Sequence, residues 1–219
     1  MMNILAIETA TAACSVALKF KGEVLCSHQV IPRQQSDQVL LQVDKLLQQA
    51  AAALSDLDLI TCGVGPGSFM GCRLAASVAQ GLAFGHNLPI LPLSTLHILA
   101  QSMPKPKVVA AWDARMGQVY LGRYIADQQG ILQPLTADEM CYPAAITLEQ
   151  PEQWHAVGNA WSVYADSIPS KVTADLLSVD STLYPHAKAM LVLADHALPS
   201  DYVRATQLRP VYLRRAVAS

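Results

Sequence analysis

The segment best suited to bind a ligand is the glycine-rich loop from Gly65 to Gly71, which reads GPGSFMG. It joins a predicted buried strand to a predicted helix, and a helix N-terminus offers free N–H groups and a positive dipole end to an anion. However, the loop lacks the Gly-Lys-Ser/Thr of a Walker phosphate-binding loop. Its glycines are spaced one residue wider than in the G-x-G-x-x-G motif of dinucleotide-binding proteins. Pro66 stands where the G-x-S-x-G motif of serine hydrolases would place a glycine before Ser68. A tight strand-to-helix connection without a ligand is therefore the favoured interpretation.

Two carboxylates occupy matching places in the two halves of the chain. Glu8 follows an apolar strand over 3–7 and Asp113 ends one over 108–113, and each precedes a short turn and a second strand. In actin-like ATPases, two such hairpins clasp nucleotide phosphates, and glycine in the turn lets backbone N–H groups reach the phosphate. The first turn, ETATAAC, has no glycine. We therefore expect Glu8 to be a structural or turn-bonding acid, and we expect the isolated chain to bind nucleotide weakly or not at all.

Metal and nucleophile chemistry find little support in the sequence. No two histidines lie four residues apart, no H-E-x-x-H occurs, and the five cysteines form no C-x-x-C. We predict no tight metal site, although a site gathered from distant segments stays open, and no Ser–His–Asp or Cys–His set can be assigned. The cysteine pattern and the lack of a signal-peptide pattern predict a cytoplasmic chain with reduced thiols.

The charge balance excludes whole classes of partner. Fifteen Lys and Arg against 17 Asp and Glu give a net charge of −2, so no global field draws the chain to nucleic acid or to a membrane. The C-terminal segment is locally different, because it has no acid after Asp201 and contains Arg204, Arg209, Arg214 and Arg215. A solvated tail is the favoured interpretation, and contact with RNA phosphates is the alternative.

The hydrophobic periodicity predicts an α/β chain whose first lobe spans residues 1–103 in the order βββαβαβα. Its strands are predicted over 3–7, 15–20, 23–30, 59–65 and 89–93, and its helices from Ser36 with an apolar stripe to Leu54, over 72–84 up to Gly85, and over 95–102 after a Ser94 cap. A break at 104–106 begins the second lobe, 104–219, with strands over 108–113, 118–125 and 154–157 and a helix over 186–196. That last helix packs either within the second lobe or back on the first lobe.

Two helices carry more apolar surface than a monomer needs. Hydrophobic residues make up 52% of the chain and charged residues only 15%, which implies that a partner covers part of the surface. Leu40 and Leu41 widen the stripe of the first helix, and the helix over 72–84 is small or apolar nearly all round. We therefore predict a helix-mediated dimer, and such an association buries about 800 Å² per partner.

Four segments resemble the TsaB (YeaZ) family of bacterial proteins: NILAIETATAACSVAL, GPGSFMGCRLAASVAQGLA, WDARMGQVY and PVYLR. The resemblance implies the actin-like ATPase, sugar-kinase and heat-shock fold of the ribonuclease H-like type, in two related lobes. It also implies a cytoplasmic subunit of tRNA threonylcarbamoyladenosine biosynthesis. Such a subunit is the non-catalytic partner and scaffold of the threonylcarbamoyl-transferring paralogue TsaD, acts with the ATPase TsaE, reaches tRNA through the complex, and forms a homodimer in isolation.

The resemblance also suggests candidate residues. The ligand or junction candidates are Glu8, Gly65, Gly67, Ser68, Gly71, Arg73 and Asp113, and the interface candidates are Leu40, Leu47, Leu74, Val78 and Leu82. No catalytic or metal-binding residue is expected, no cofactor is expected to bind tightly, and ATP or ADP is expected only at the junction of the complex. The family often has Asp where Glu8 stands, Glu where Gln118 stands and His where Gln35 stands. A stand-alone actin-like ATPase or kinase is the alternative, and a protease is the less favoured one.

Overall fold

Two mixed β-sheets, one in each half of the chain, organise the computed structural model, which describes residues 2–148 and 153–214. The first contains β1 (Ile4–Glu8), β2 (Ala13–Phe20), β3 (Glu23–Val30), β4 (Leu59–Gly63) and β5 (Ile90–Leu93). Its order is β3-β2-β1-β4-β5, with β1, β2 and β3 antiparallel and β4 and β5 parallel to β1. Two helices, α1 (Gln35–Gln49) and α2 (Phe69–His86), complete the first lobe.

The second sheet repeats this plan. Its strands are β6 (Lys107–Arg115), β7 (Gln118–Ala126), β8 (Leu132–Pro134), β9 (Glu139–Cys141), β10 (Trp154–Val157) and β11 (Leu176–Asp180). The order is β11-β10-β6-β7-β8, with β9 also on β7, and again an antiparallel hairpin is flanked by two parallel strands. The fold is therefore the two-lobed α/β arrangement that the matching hairpins predicted.

The remaining helices connect and cover the sheets. They are α3 (Thr95–Gln101), α4 (Ala160–Val163), α5 (Ser170–Ala174) and α6 (Ala187–Asp195). Helix α3 lies between the lobes, with Ile98 in the apolar cluster of the first sheet and Leu96 and Leu99 in a cluster with the second sheet. Helix α6 packs on the first sheet, because Met190 joins the same cluster as Ile98.

Strands β1, β2 and β4 of the first sheet are buried on both faces, which explains their continuous apolar runs, whereas the edge strand β3 is largely exposed. Leu5 and Ile7 of β1 face the core beneath α1 and α2, whereas Ile4 and Ala6 face the cluster that contains α6. The core thus has α1 and α2 on one side of the sheet and α6 on the other. Within the described residues, no helix combines the length and hydrophobicity needed to cross a bilayer.

Several predicted boundaries are wrong. Helix α2 begins at Phe69 rather than 72, because the Ser68 hydroxyl caps it, and it passes Gly85 to end at His86, with Asn87 as its C-cap at a φ of +52°. Helix α1 ends at Gln49, so Leu54 lies in a separate short 3-10 turn, and β4 ends at Gly63. The sequence did not predict the short elements of the second lobe, β8, β9, β11, α4 and α5, whose three to five residues give no full hydrophobic period.

Candidate functional site between the lobes

The glycine-rich loop packs directly against the turn of the first hairpin. The Ser68 N–H donates to the Ala10 carbonyl at 2.7 Å, and the Thr9 hydroxyl donates to the Gly71 carbonyl at 2.8 Å. A Cβ on Gly67 would lie 2.5 Å from the Ala10 oxygen, and one on Gly71 would lie 2.1 Å from the Thr9 oxygen. These glycines therefore allow two backbone segments to touch.

Glu8 lies beneath this contact, fully buried at the end of β1. Its carboxylate accepts hydrogen bonds from the Ala10 N–H and, at 3.1 Å, from the Thr95 hydroxyl of α3. Gly63 makes room for it, because a Cβ there would fall 1.9 Å from a carboxylate oxygen. Burial raises the pKa of Glu8 from 4.5 to about 7, and these hydrogen bonds oppose the rise. Glu8 therefore bonds its own turn.

The buried carboxyl makes the stability of the chain depend on pH. Between its ordinary pKa of 4.5 and its folded pKa of about 7, Glu8 keeps its proton in the folded chain but loses it in the unfolded one. The free energy of unfolding therefore falls as the pH rises across this window, by roughly 3 kcal/mol. Glu8→Gln is expected to remove that fall, measured by urea unfolding at pH 5, 6, 7 and 8. The control Glu23→Gln removes an exposed carboxylate of the same sheet, and this variant is expected to retain the fall in the free energy of unfolding. Equal pH profiles for the two variants would contradict the assignment of the pH dependence to Glu8.

A cavity of about 770 Å³ lies between the lobes. Its lining comes from three parts of the chain: the loop and start of α2, the β6–β7 hairpin, and the C-terminal segment. The lining residues are Gly67, Ser68, Phe69, Arg73, Asp113, Ala114, Arg115, Tyr120, Val211, Tyr212 and Arg214. Of the seven junction candidates, Gly67, Ser68, Arg73 and Asp113 line the cavity, and Glu8, Gly65 and Gly71 do not.

Asp113 is engaged by its own surroundings. Its carboxylate accepts from the Arg115 N–H at 2.8 Å and from the Tyr164 hydroxyl at 2.7 Å, and it pairs with the Arg115 guanidinium at 3.2 Å. Its N–H donates to the Asn159 side chain at 2.8 Å. Asp113 thus organises the turn of the second hairpin, as Glu8 organises the turn of the first.

Arg73 contacts two aromatic rings at the mouth of the cavity. Its guanidinium carbon lies 3.5 Å from the Phe69 ring centroid, and its Nε donates to the Tyr212 hydroxyl at 2.8 Å. Cation–π contacts of this kind stabilise an arginine against an aromatic face. Tyr212 was not among the predicted cleft residues, although the PVYLR segment that contains it carried part of the resemblance.

The C-terminal segment is packed against both lobes over the residues that the structure describes, although Arg204 and Arg209 are exposed, as the interpretation of a solvated tail predicts. Leu208 is 1% exposed in the first core, and the Arg209 guanidinium donates to the Thr206 and Leu208 carbonyls. The Arg214 guanidinium donates to carbonyls of the β6–β7 turn and to the Gln118 side chain at 3.0 Å. Arg215 lies outside the described residues.

The interface candidates differ in exposure. Leu40 is 52% exposed, whereas Leu74, Val78 and Leu82 of α2 are half-buried against the first core. Leu47 is only 8% exposed and belongs to that core, which leaves little of its side chain for a partner. Apolar side chains that the candidates did not include are more exposed: Leu41 at 61% and Phe84 at 74%.

Gln35 stands where the resemblance suggests histidine, and it supports the first turn. Its side-chain amide donates to the Thr11 carbonyl at 2.8 Å. Within the described parts of the chain, no group of three or more His, Cys, Asp or Glu side chains could hold a metal ion. The absence of a tight metal site stays a prediction.

The chain is similar to known proteins over nearly its whole length. A family model described as "TsaD: tRNA N6-adenosine threonylcarbamoyltransferase" matches residues 29–219. The "tRNA threonylcarbamoyladenosine biosynthesis protein TsaB" of Escherichia coli K12 is 36% identical, over 99% of this chain and 96% of that protein. The protein of the same name from Haemophilus influenzae is 32% identical over 99% and 95%. The solved structure of "YeaZ from Pseudomonas aeruginosa" has a TM-score of 0.91 at 38% identity, over 97% of this chain and 100% of that one. The similarity therefore extends over both lobes and the cleft.

Proposed function

Since this chain belongs to the TsaB family, we propose that it is a subunit of tRNA threonylcarbamoyladenosine biosynthesis that performs no chemistry itself. The family membership over nearly the full chain supports the pathway. One contact supports the non-catalytic role: Ser68 and Gly67 rest on the Ala10 carbonyl. An actin-like enzyme would hold phosphate with this turn, and here the protein's own loop packs against it.

The acids of the cleft support the same conclusion. Glu8 is buried and bonded to Ala10 and Thr95, and Asp113 is bonded to Arg115 and Tyr164. A general base or a metal ligand needs a carboxylate that can reach a substrate or a bound ion. Glu8 does not line the cavity, and Asp113, which does, has its carboxylate bonded to Arg115 and Tyr164, so both acids hold the turns that follow their strands.

The proposed partners follow from the exposed apolar helices. Leu40, Leu41 and Phe84 are each more than half exposed on α1 and α2, and such side chains are favourable to bury in an interface. We assign this surface to the catalytic paralogue TsaD and, when the chain is alone, to a second copy. TsaE docks at the junction of that complex. tRNA contacts this chain only as part of the assembled complex.

The proposal extends to cofactor and compartment. No cofactor binds this chain tightly, and ATP or ADP binds only where the subunits meet. A subunit of a tRNA-modifying complex works in the cytoplasm.

A reconstitution tests the proposal. TsaD, TsaE, threonylcarbamoyl-adenylate and tRNA are combined with and without this chain, and the modified nucleoside is quantified per TsaD by mass spectrometry. We expect multiple turnovers only when the chain is present. Equal turnover without it would overturn the subunit role. Modification by this chain alone would overturn the non-catalytic role, and ATP hydrolysis by this chain alone would favour a stand-alone ATPase.

A further inference from the structure

The C-terminal residues 203–214 follow helix α2 towards the cleft, and we call them the strap. At the start of the strap, Val203 and Ile90 exchange two backbone hydrogen bonds of 2.8 and 2.9 Å. Midway, the Gln80 side chain of α2 donates to the Ala205 carbonyl at 2.9 Å and to the Leu208 carbonyl at 3.2 Å. The strap is therefore anchored to the first lobe before it reaches the cavity.

The strap then crosses from the first lobe to the second. The Val211 N–H donates to the Val64 carbonyl at 2.8 Å, and the Tyr212 hydroxyl accepts from Arg73. Two residues later, Arg214 donates to the Ala114 and Arg115 carbonyls, both at 3.2 Å. One short stretch of chain thus contacts both lobes across the cavity that it helps to line.

Arg214 is matched to the turn that it binds. Arg115 and Met116 have φ of +65° and +57°, and Arg214 contacts the Met116 sulfur as well as the two turn carbonyls. The Gln118 side-chain oxygen adds a fourth contact, at 3.0 Å. A planar guanidinium binds several acceptors at once, and charge-assisted hydrogen bonds are the strong ones.

We propose that the strap is a latch that closes the inter-lobe cleft and holds the two lobes at a fixed separation. Helix α3 joins the lobes through buried apolar side chains, whereas the latch uses polar contacts at the rim of the cavity. Breaking polar contacts that are open to water requires less free energy than separating a packed apolar core. The cleft therefore opens at the latch while α3 stays packed. This inference concerns the lobes of a single chain, so its test is independent of the proposed function.

A native thiol reports on the latch. Cys72 is 1% exposed, and a Cβ on Gly65 would lie 2.9 Å from its sulfur and 3.2 Å from the Val211 carbonyl oxygen. Burial raises the pKa of Cys72 to about 12, so its thiol is unreactive in the closed chain. Cys26 is exposed and serves as the internal reference.

The test releases the latch with Tyr212→Ala combined with Arg214→Ala. Iodoacetamide alkylation of Cys72 relative to Cys26, mapped by mass spectrometry, is expected to rise about tenfold. Spin labels at positions 23 and 129, in chains lacking Cys26, Cys72 and Cys141 and diluted with unlabelled chain, are expected to show a broader distance distribution. Tyr212→Phe, which keeps the ring and loses only the hydroxyl, is expected to give a smaller rise.

Arg209→Ala is the matched control, because among the residues that the structure describes that guanidinium bonds to carbonyls of the strap itself. It is expected to leave both measurements at the parent values. Circular dichroism and thermal unfolding establish that every variant is folded. If the double variant is folded and either its Cys72 alkylation or its label distances match the parent, the latch is refuted.

Discussion

Leu74→Glu is expected to abolish both the self-association of this chain and its stimulation of tRNA modification, and Val78→Arg is expected to do the same. Both side chains are half-buried on α2, beside the exposed Ser77 of the same helix. Small residues allow a partner helix to approach closely, so a charge introduced here would be buried without a counter-charge. Such a charge costs about 3–5 kcal/mol, which weakens association by roughly two to four decades.

The measurements are the oligomeric mass by light scattering and the number of turnovers in the reconstituted reaction. Val192→Glu is the matched control, since Val192 is a 38% exposed side chain on α6, and α6 packs on the other face of the first sheet. It is expected to retain both the dimer and the stimulation. Because Leu74 and Val78 also touch the core, circular dichroism must establish that each variant is folded. A folded Leu74→Glu that remains dimeric and fully stimulating would place the interface elsewhere.

Gly71→Ala is expected to destabilise the chain by about 3 kcal/mol. The new Cβ would lie 2.1 Å from the Thr9 carbonyl oxygen and 3.0 Å from the Ala10 Cα, and both neighbours are backbone atoms. Backbone atoms cannot rotate away as a flexible side chain does. The loop would have to leave the first hairpin turn, which breaks the hydrogen bond from Thr9 to Gly71.

Gly81→Ala in the same helix is the control, because in the described part of the chain no atom beyond its neighbours and its own helical backbone lies within 4 Å of the added Cβ. Alanine is the better helix former by about 1 kcal/mol, so this variant is expected to be more stable than the parent. Urea unfolding of the parent and both variants at one pH gives the comparison. Similar losses of stability in the two variants would show that the close approach of the loop to the turn is unimportant.

Much of the first lobe follows from local sequence patterns. Long apolar runs such as 59–63 and the helical period of α1 are properties of neighbouring residues, so they predict β4 and α1 before any contact is known. The turn-bonding role of Glu8 was predictable for the same reason, since its partner Ala10 is two residues away. The short strands and helices of the second lobe carry no comparable signal.

The tertiary structure alone decided which apolar and charged side chains face inward. Leu40 and Leu47 belong to one wide stripe, and only the position of the sheet makes Leu47 core and leaves Leu40 exposed. Arg214 lies in a segment whose composition is typical of a solvated tail, yet its hydrogen-bond partners are about 100 residues earlier in the chain. The sequence of this chain by itself determined the long strands and helices and their local turns, because those depend on near neighbours. The cleft, the strap and the burial of Leu208 depend on distant contacts, which arise only when the elements pack.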